Sequence, residues 1–146
     1  MPSFIDVSFL PFITALAITT VITFLTIPLV KKFKLIDDPK LHKHPAIIHT
    51  RPIPRGGGIP LYFGVLFTSI FFIPFNQITF AVFFAAFLAL AIGLIDDKLN
   101  AQSKDISPYI RTLVQFLTAI IVVSSGVSMH FITNPLGTGI LHLDAI

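Results

Sequence analysis

ITFAVFFAAFLALAIGLIDD, residues 78–97, is the stretch that decides the fold. No charge interrupts it before its two final residues, and about 20 apolar residues are what a helix needs to cross a membrane. Small residues recur at every fourth position, a spacing that lets two helices pack closely in lipid: Ala81, Ala85, Ala89 and Gly93. The next position at that spacing is Asp97. A helix that continues for one more turn therefore directs Asp97 to its packed face and not to lipid.

The composition of the whole chain also indicates a membrane protein. Of its 146 residues, 54% are hydrophobic and 12% are charged, whereas soluble domains carry about 25% charged residues. The 16 phenylalanines and the low charge exclude intrinsic disorder. The absence of cysteine excludes disulfides, cysteine-based zinc sites and thiol catalysis. The net charge of +3 is concentrated in loops between apolar stretches, so it does not indicate a nucleic-acid partner.

Four apolar stretches of membrane length predict an all-α integral membrane fold with four transmembrane helices. They cover residues 9–30, 57–73, 78–95 and 113–132. The ten lysines and arginines all lie in the two loops 31–56 and 96–111, seven in the first and three in the second. Short loops rich in lysine and arginine stay on the cytoplasmic side. We therefore expect a multi-pass plasma-membrane protein with both loops in the cytoplasm and the N-terminus outside.

Asp96 and Asp97 form an unusual pair, because they stand where a helix ends and its dipole is already negative. Something cationic should compensate them, and Lys98 and a divalent ion are both candidates. Mg²⁺ suits such a position, since it is often bound by one or two carboxylates together with substrate phosphates. The alternative is that the pair only marks the polar boundary of a membrane helix.

A second motif, RPIPRGGG at residues 51–58, leads into the second apolar stretch. Backbone N–H groups at a helix start bind anions, and arginines grip phosphate oxygens through two hydrogen bonds. Arg51, Arg55, Gly57 and Gly58 are therefore candidate phosphate ligands, with His49 beside them. The alternative is a flexible lead into a helix. The nearby His42 and His44 match no zinc-site spacing.

Polar residues on the fourth stretch share one helix face: Arg111, Gln115, Thr118 and Ser125. Lipid would penalise them, so this face should turn inward or toward water. Gln115 could equally make a hydrogen bond between helices, and Arg111 could extend its charged end to the membrane surface.

These motifs together resemble one family, the polyprenyl-phosphate N-acetylhexosamine-1-phosphate transferases of glycosyltransferase family 4. Residues 49–58 are similar to its first cytoplasmic loop, and residues 93–97 to its Asp-Asp motif at the end of the third helix. Ser107-Pro108, Arg111 and Gln115 are similar to the entrance of its fourth helix. Ile47-Ile48 depart from the family, which commonly has an Arg-Lys pair before the histidine.

The resemblance implies an enzyme that transfers a sugar phosphate from a UDP-N-acetylhexosamine to polyprenyl phosphate in the membrane, releasing UMP and starting cell-envelope glycan synthesis. It implies Mg²⁺ as cofactor, with Asp96 and Asp97 as catalytic and metal-binding residues, and Arg111 and Lys98 offsetting phosphate charge. It also implies a larger bundle of roughly ten helices, so we expect the 146 residues to be an inactive N-terminal part of it.

Two readings compete with this one. Asn100 stands where the related phospho-MurNAc-pentapeptide transferase of peptidoglycan synthesis tends to carry lysine, which favours the GlcNAc-type branch without excluding the other. A non-enzymatic four-helix membrane subunit is the second alternative. The sugar, the prenyl length, the pathway and a homo-oligomeric state are left open by the sequence.

The distribution of charge predicts a labelling pattern. Single cysteines at Asn100, Asn76 and Ser3 have no background in a chain without cysteine. A membrane-impermeant thiol reagent applied to intact cells should label positions 76 and 3 and leave position 100 unlabelled, because both cationic loops are cytoplasmic. Labelling at position 100 alone would invert the predicted topology.

Overall fold

The structure, a computed structural model, describes residues 8–39, 50–102, 104–128, 131–134 and 137–142. It is mostly helical. The four helices are α1 (Leu10–Lys32), α2 (Gly58–Phe72), α3 (Gln77–Asn100) and α4 (Pro108–Ser124). Two short antiparallel pairs join the strands β1 (Ile36–Asp37) and β2 (Ile53–Pro54), and β3 (Phe131–Thr133) and β4 (Ile140–His142).

The helices differ in length. By length and composition, α1 and α3, with 23 and 24 residues, are apolar and long enough to cross a membrane. The other two, α2 and α4, are shorter apolar helices of 15 and 17 residues. The prediction of a helical, membrane-type fold is confirmed to that extent.

The fourth helix begins and ends earlier than the predicted stretch 113–132. It begins at Pro108, whose fixed φ suits the first turn of a helix. It ends at Ser124, and Gly126 then takes a left-handed conformation with a φ of 99°, as glycines after helices commonly do. The β-branched and aromatic residues from Phe131 to Thr133 pair as a strand instead.

The helices pack as two pairs, α1 with α2 and α3 with α4, and α2 meets α3 more sparingly. In the first pair, Gly64 lies directly against Thr19 of α1. In the second, Ala81 and Ala85 are buried, with 8% and 5% of their surface exposed. Ala89, by contrast, lines a cavity of about 440 Å³ between α3 and α4, and Gly93 is exposed. The small-residue face is therefore buried in its first half only.

An apolar cavity of about 410 Å³ separates α2 from α3. It runs along α2 from Gly58 to Val65 and is lined on the α3 side by residues such as Val82 and Leu90. The Tyr62 hydroxyl donates to the backbone carbonyl of Phe83 at 3.1 Å, so the two helices touch across it. The connecting turn ends at Asn76, whose side chain caps α3 by accepting from the Thr79 N–H at 2.9 Å.

The first strand pair fixes the loop at the charged end of the helices. It pairs Ile36 with Pro54 and Asp37 with Ile53. The N–H of Arg55 extends it by donating to the carbonyl of Leu35 at 2.9 Å. The segment after α1 is thereby joined to the segment before α2, beside the end of α3.

The close contact between α1 and α2 predicts the effect of adding one methyl group. A Cβ at residue 64 would lie 1.9 Å from Thr19 Oγ1 and 3.0 Å from Thr19 Cβ, so rotating the hydroxyl alone would not relieve the clash. We expect Gly64→Ala to lower the free energy of unfolding by about 1–3 kcal/mol. The measurement is SDS-induced unfolding of the detergent-solubilised chain, followed by helical circular dichroism.

Gly93→Ala is the matched control, because a Cβ there would meet nothing within 4 Å. It should leave the stability unchanged or raise it by up to about 1 kcal/mol through helix propensity. Equal stability of the two variants would show that α1 and α2 are not in contact at residue 64.

Candidate functional site

The carboxylate of Asp97, near the end of α3, points at the loop that leads into α2. Its Oδ2 accepts a hydrogen bond from the backbone N–H of Gly56 at 3.0 Å. Its Oδ1 lies 3.7 Å from Nη1 of Arg55, and the side chain is 32% exposed. This is the inward direction that the spacing of small residues on α3 predicted.

Arg55 is shared with a second carboxylate. Its Nη2 donates to Oδ2 of Asp37 at 2.7 Å, and the Asp37 side chain is only 16% exposed. The pairing of β1 with β2 brings these two residues together although they are 18 positions apart in the chain. The guanidinium of Arg55 therefore lies between Asp37 and Asp97.

Sequence reasoning missed Asp37. The available signal was its place in an Asp-Asp-Pro run directly after the cationic end of α1, a second pair of adjacent acids in a chain that has only seven.

Asp96 has a different partner. Nη2 of Arg111, on the first turn of α4, donates to its Oδ1 at 2.5 Å, and the Asp96 side chain is 21% exposed. The Nε of Arg111 is buried and has no hydrogen-bond partner among the described residues. Each acid at the end of α3 thus meets an arginine from a different element. These arginines, and not the exposed Lys98, supply the ion pairs found in the described part of the chain.

The glycine segment also differs from a simple phosphate cradle. Gly56 is buried with a φ of 92°, a conformation that favours glycine, and its N–H is directed to Asp97. The anion that occupies this N–H is therefore a carboxylate of the protein itself. Gly57, Gly58 and Arg51 are exposed, and their contact with phosphate stays a prediction. His49 lies outside the described residues.

The polar face of α4 is only partly turned inward. Arg111 and Thr118 are half-buried, whereas Gln115 is exposed. The hydroxyls of Thr118 and Ser125 donate to carbonyls of their own helix, both at 2.7 Å. Within the described residues, Gln115 makes no side-chain hydrogen bond to another helix, so that alternative has no support here.

The donor set is compatible with a divalent ion but is incomplete. Among the residues that the structure describes, no group of three or more histidine, cysteine or acidic side chains could hold a metal. Asp96 and Asp97 supply hard oxygen atoms, and Mg²⁺ usually takes one or two carboxylates while water and substrate phosphates complete its shell. Two adjacent carboxylates are therefore chemically compatible with part of a divalent-ion site, without providing a full cage.

Comparison with known proteins gives matches over most of this chain. Residues 79–146 match the family described as glycosyl transferase family 4. The chain is 28% identical over 129 residues to a probable undecaprenyl-phosphate N-acetylglucosaminyl 1-phosphate transferase of Bacillus subtilis. It is 31% identical over 118 residues to an undecaprenyl-phosphate alpha-N-acetylglucosaminyl 1-phosphate transferase of Pasteurella multocida.

The coverage of these matches is uneven. They include 85% and 77% of this chain, but 32% and 30% of the two relatives. The chain thus spans about a third of the length of the curated relatives that it matches. No solved structure gives a significant match.

The conformation of Gly56 predicts how the site responds to a side chain there. A Cβ at residue 56 would be strained at this φ and would lie 3.1 Å from Val30 Cγ1. Gly56→Ala should therefore shift the loop, weaken the hydrogen bond to Asp97 and speed hydrogen exchange of the residue 56 amide by about tenfold or more.

Gly57→Ala is the control, because a Cβ at residue 57 meets nothing within 4 Å and its φ is −59°. Exchange at residue 56 should stay at the native rate in that variant. Equal exchange in native protein and Gly56→Ala would mean that the amide is not bound to Asp97.

Proposed function

The chain is related to glycosyl transferase family 4, as its motifs predicted, and from that premise we propose that it takes part in phosphoglycosyl transfer at a membrane. The reaction joins N-acetylhexosamine-1-phosphate, most simply GlcNAc-1-phosphate, to polyprenyl phosphate. A phosphate oxygen of the lipid attacks the sugar-linked phosphorus of the UDP-sugar, a new P–O–P bond forms, and UMP leaves with the electrons of the broken bond. The similarity to two N-acetylglucosaminyl 1-phosphate transferases favours this branch over the peptidoglycan enzyme.

The observation that carries the proposal is the pairing of two adjacent carboxylates with two arginines at one end of α3. Both substrates are phosphates, so bare carboxylates would repel them. A divalent ion, for which we propose Mg²⁺, would be held by Asp97 and Asp96 and would neutralise the diphosphate and the departing UMP. Arg111 and Arg55 would then bind phosphate oxygens, through the paired hydrogen bonds that guanidinium groups make.

The surroundings of the charged cluster suit a substrate with an apolar tail. The cavity between α2 and α3 begins at Gly58, two residues after the N–H that binds Asp97. Its lining is almost entirely apolar, which suits an isoprenoid chain lying near the cluster. A lipid phosphate at the membrane surface would thereby reach the same end of α3 as a nucleotide sugar from the cytoplasm.

The proposed reaction also fits a four-span arrangement in the plasma membrane. Helices of 15 and 17 residues rise about 23–26 Å, somewhat less than a hydrocarbon core of about 30 Å. Ile73 and Phe75, which follow α2, extend its apolar stretch toward a full crossing. With the loops 31–56 and 96–111 in the cytoplasm, the UDP-sugar would be drawn from its soluble pool.

The proposal predicts a severe effect of removing one charge. Asp97→Asn keeps the shape of the side chain but loses the charge that would bind the ion. With the gene changed at its own locus, membranes should transfer GlcNAc-1-phosphate from UDP-GlcNAc to undecaprenyl phosphate about 10²–10³-fold more slowly, the usual scale for losing one preorganised electrostatic contact. The measurement is the radiolabelled lipid product at limiting Mg²⁺.

Asp105→Asn is the matched control, because Asp105 is an exposed acid of the same loop, outside the cluster. Its turnover should be near the native rate at equal membrane expression. Native turnover by Asp97→Asn would contradict the metal-binding role of Asp97 and leave the Asp-Asp pair as only the polar boundary of a helix. If UDP-MurNAc-pentapeptide replaced UDP-GlcNAc as the donor, the peptidoglycan branch would be the correct one.

A further inference from the structure

Arg55 is held mainly by its contacts with Asp37 and Leu35. Its guanidinium forms a hydrogen bond to Asp37 at 2.7 Å, whereas its nearest approach to Asp97 is 3.7 Å, outside hydrogen-bonding distance. Its backbone is tied to the same side, because the Arg55 N–H donates to the carbonyl of Leu35, two residues before Asp37. Arg55 is thus held close to β1 and at a distance from α3.

This placement leaves one oxygen of Asp97 without a hydrogen bond in the described part of the chain. Gly56 binds Oδ2, while Oδ1 has only the 3.7 Å approach of Arg55. A guanidinium that is free to move prefers to bind a carboxylate through two parallel hydrogen bonds. Without Asp37, Arg55 would be expected to close on Asp97 and occupy the oxygen that a hard cation needs.

We propose that Asp37 is a positioning residue, which holds Arg55 away from Asp97 and so keeps the Asp97 carboxylate able to bind a divalent cation. The inference rests on the proposed function for the role of that cation. It assigns Asp37 no contact with substrate or metal. Asp37 affects cation binding at Asp97 only through Arg55, and an experiment with the double variant tests this dependence.

Two simpler roles for Asp37 must be separated from this one. Asp37 could attract cations through space because it is negative, in which case its removal would weaken binding with or without Arg55. It could also brace only the β1–β2 pair, in which case its removal would leave the intrinsic cation affinity unchanged. In the positioning role, by contrast, the loss appears only while Arg55 is present.

The experiment measures Mn²⁺ affinity of the detergent-solubilised chain from the electron paramagnetic resonance signal of free Mn²⁺. The chains compared are native, Asp37→Asn, Arg55→Gln and the double variant Asp37→Asn/Arg55→Gln. Asp105→Asn controls for net charge, and Asp96→Asn/Asp97→Asn gives the background. Helical circular dichroism checks the fold of each chain.

We expect Asp37→Asn to weaken Mn²⁺ binding by about tenfold, within the range of coupling between contacting residues. Arg55→Gln should strengthen binding, and adding Asp37→Asn to it should change the affinity less than about twofold. Asp37→Glu, which keeps the charge, should hold Arg55 and retain affinity near native. If Asp37→Asn does not fold, Asp37→Glu becomes the informative variant, because the positioning role predicts near-native Mn²⁺ affinity for it.

Equal weakening by Asp37→Asn in both backgrounds would overturn the positioning role, and so would no weakening in either. A loss of affinity in Asp37→Glu as large as that in Asp37→Asn would overturn it as well. In all three cases native binding above background would leave the proposed function standing. Native binding no stronger than that of Asp96→Asn/Asp97→Asn would overturn both this inference and the metal role of the Asp-Asp pair.

Discussion

The hydrogen bond from the Gly56 N–H to Asp97 is the interaction on which the arrangement of the charged cluster depends. Two adjacent carboxylates at a helix C-terminus face the negative end of the dipole and each other, so they require compensation. The start of α2 provides it for Asp97, at the positive end of another helix dipole. Arg111 provides it for Asp96. The end of α3 is thereby linked to the segment before α2 by a hydrogen bond and to α4 by an ion pair.

The helices pack more loosely away from this cluster. The pairs α1–α2 and α3–α4 are joined at the cluster and across Tyr62, while apolar cavities lie between α2 and α3 and between α3 and α4. An arrangement of polar contacts at one end with open apolar surface beside it suits a substrate with a charged head and a lipid tail. On the proposed function, binding exchanges carboxylate–arginine pairs for carboxylate–ion and arginine–phosphate pairs, so no charge is left without a partner during the exchange.

The sequence predicted the features that depend on one helix at a time. The four-residue spacing on α3 predicted the inward direction of Asp97 and the burial of Ala81 and Ala85, because both follow from helix periodicity. It could not predict the exposure of Gly93, since that depends on where α4 lies. The contact of Asp37 with Arg55 was equally out of reach. A strand pair of two residues leaves no periodic signal, and its partners are far apart in the chain. The partner of Arg111 could not be predicted either, because it depends on how α3 and α4 are placed relative to each other.

The contact between Asp97 of α3 and the Gly56 amide before α2 can be tested directly by one measurement. With ¹⁵N at Gly56 and ¹³C at the Asp97 carboxylate, solid-state NMR of the chain in lipid bilayers reports the dipolar coupling between the two nuclei. A clear coupling is expected, because the Gly56 nitrogen lies 3.0 Å from Oδ2 of Asp97, which is bonded to the labelled carbon. A coupling too weak to detect would show that Asp97 does not bind the Gly56 amide.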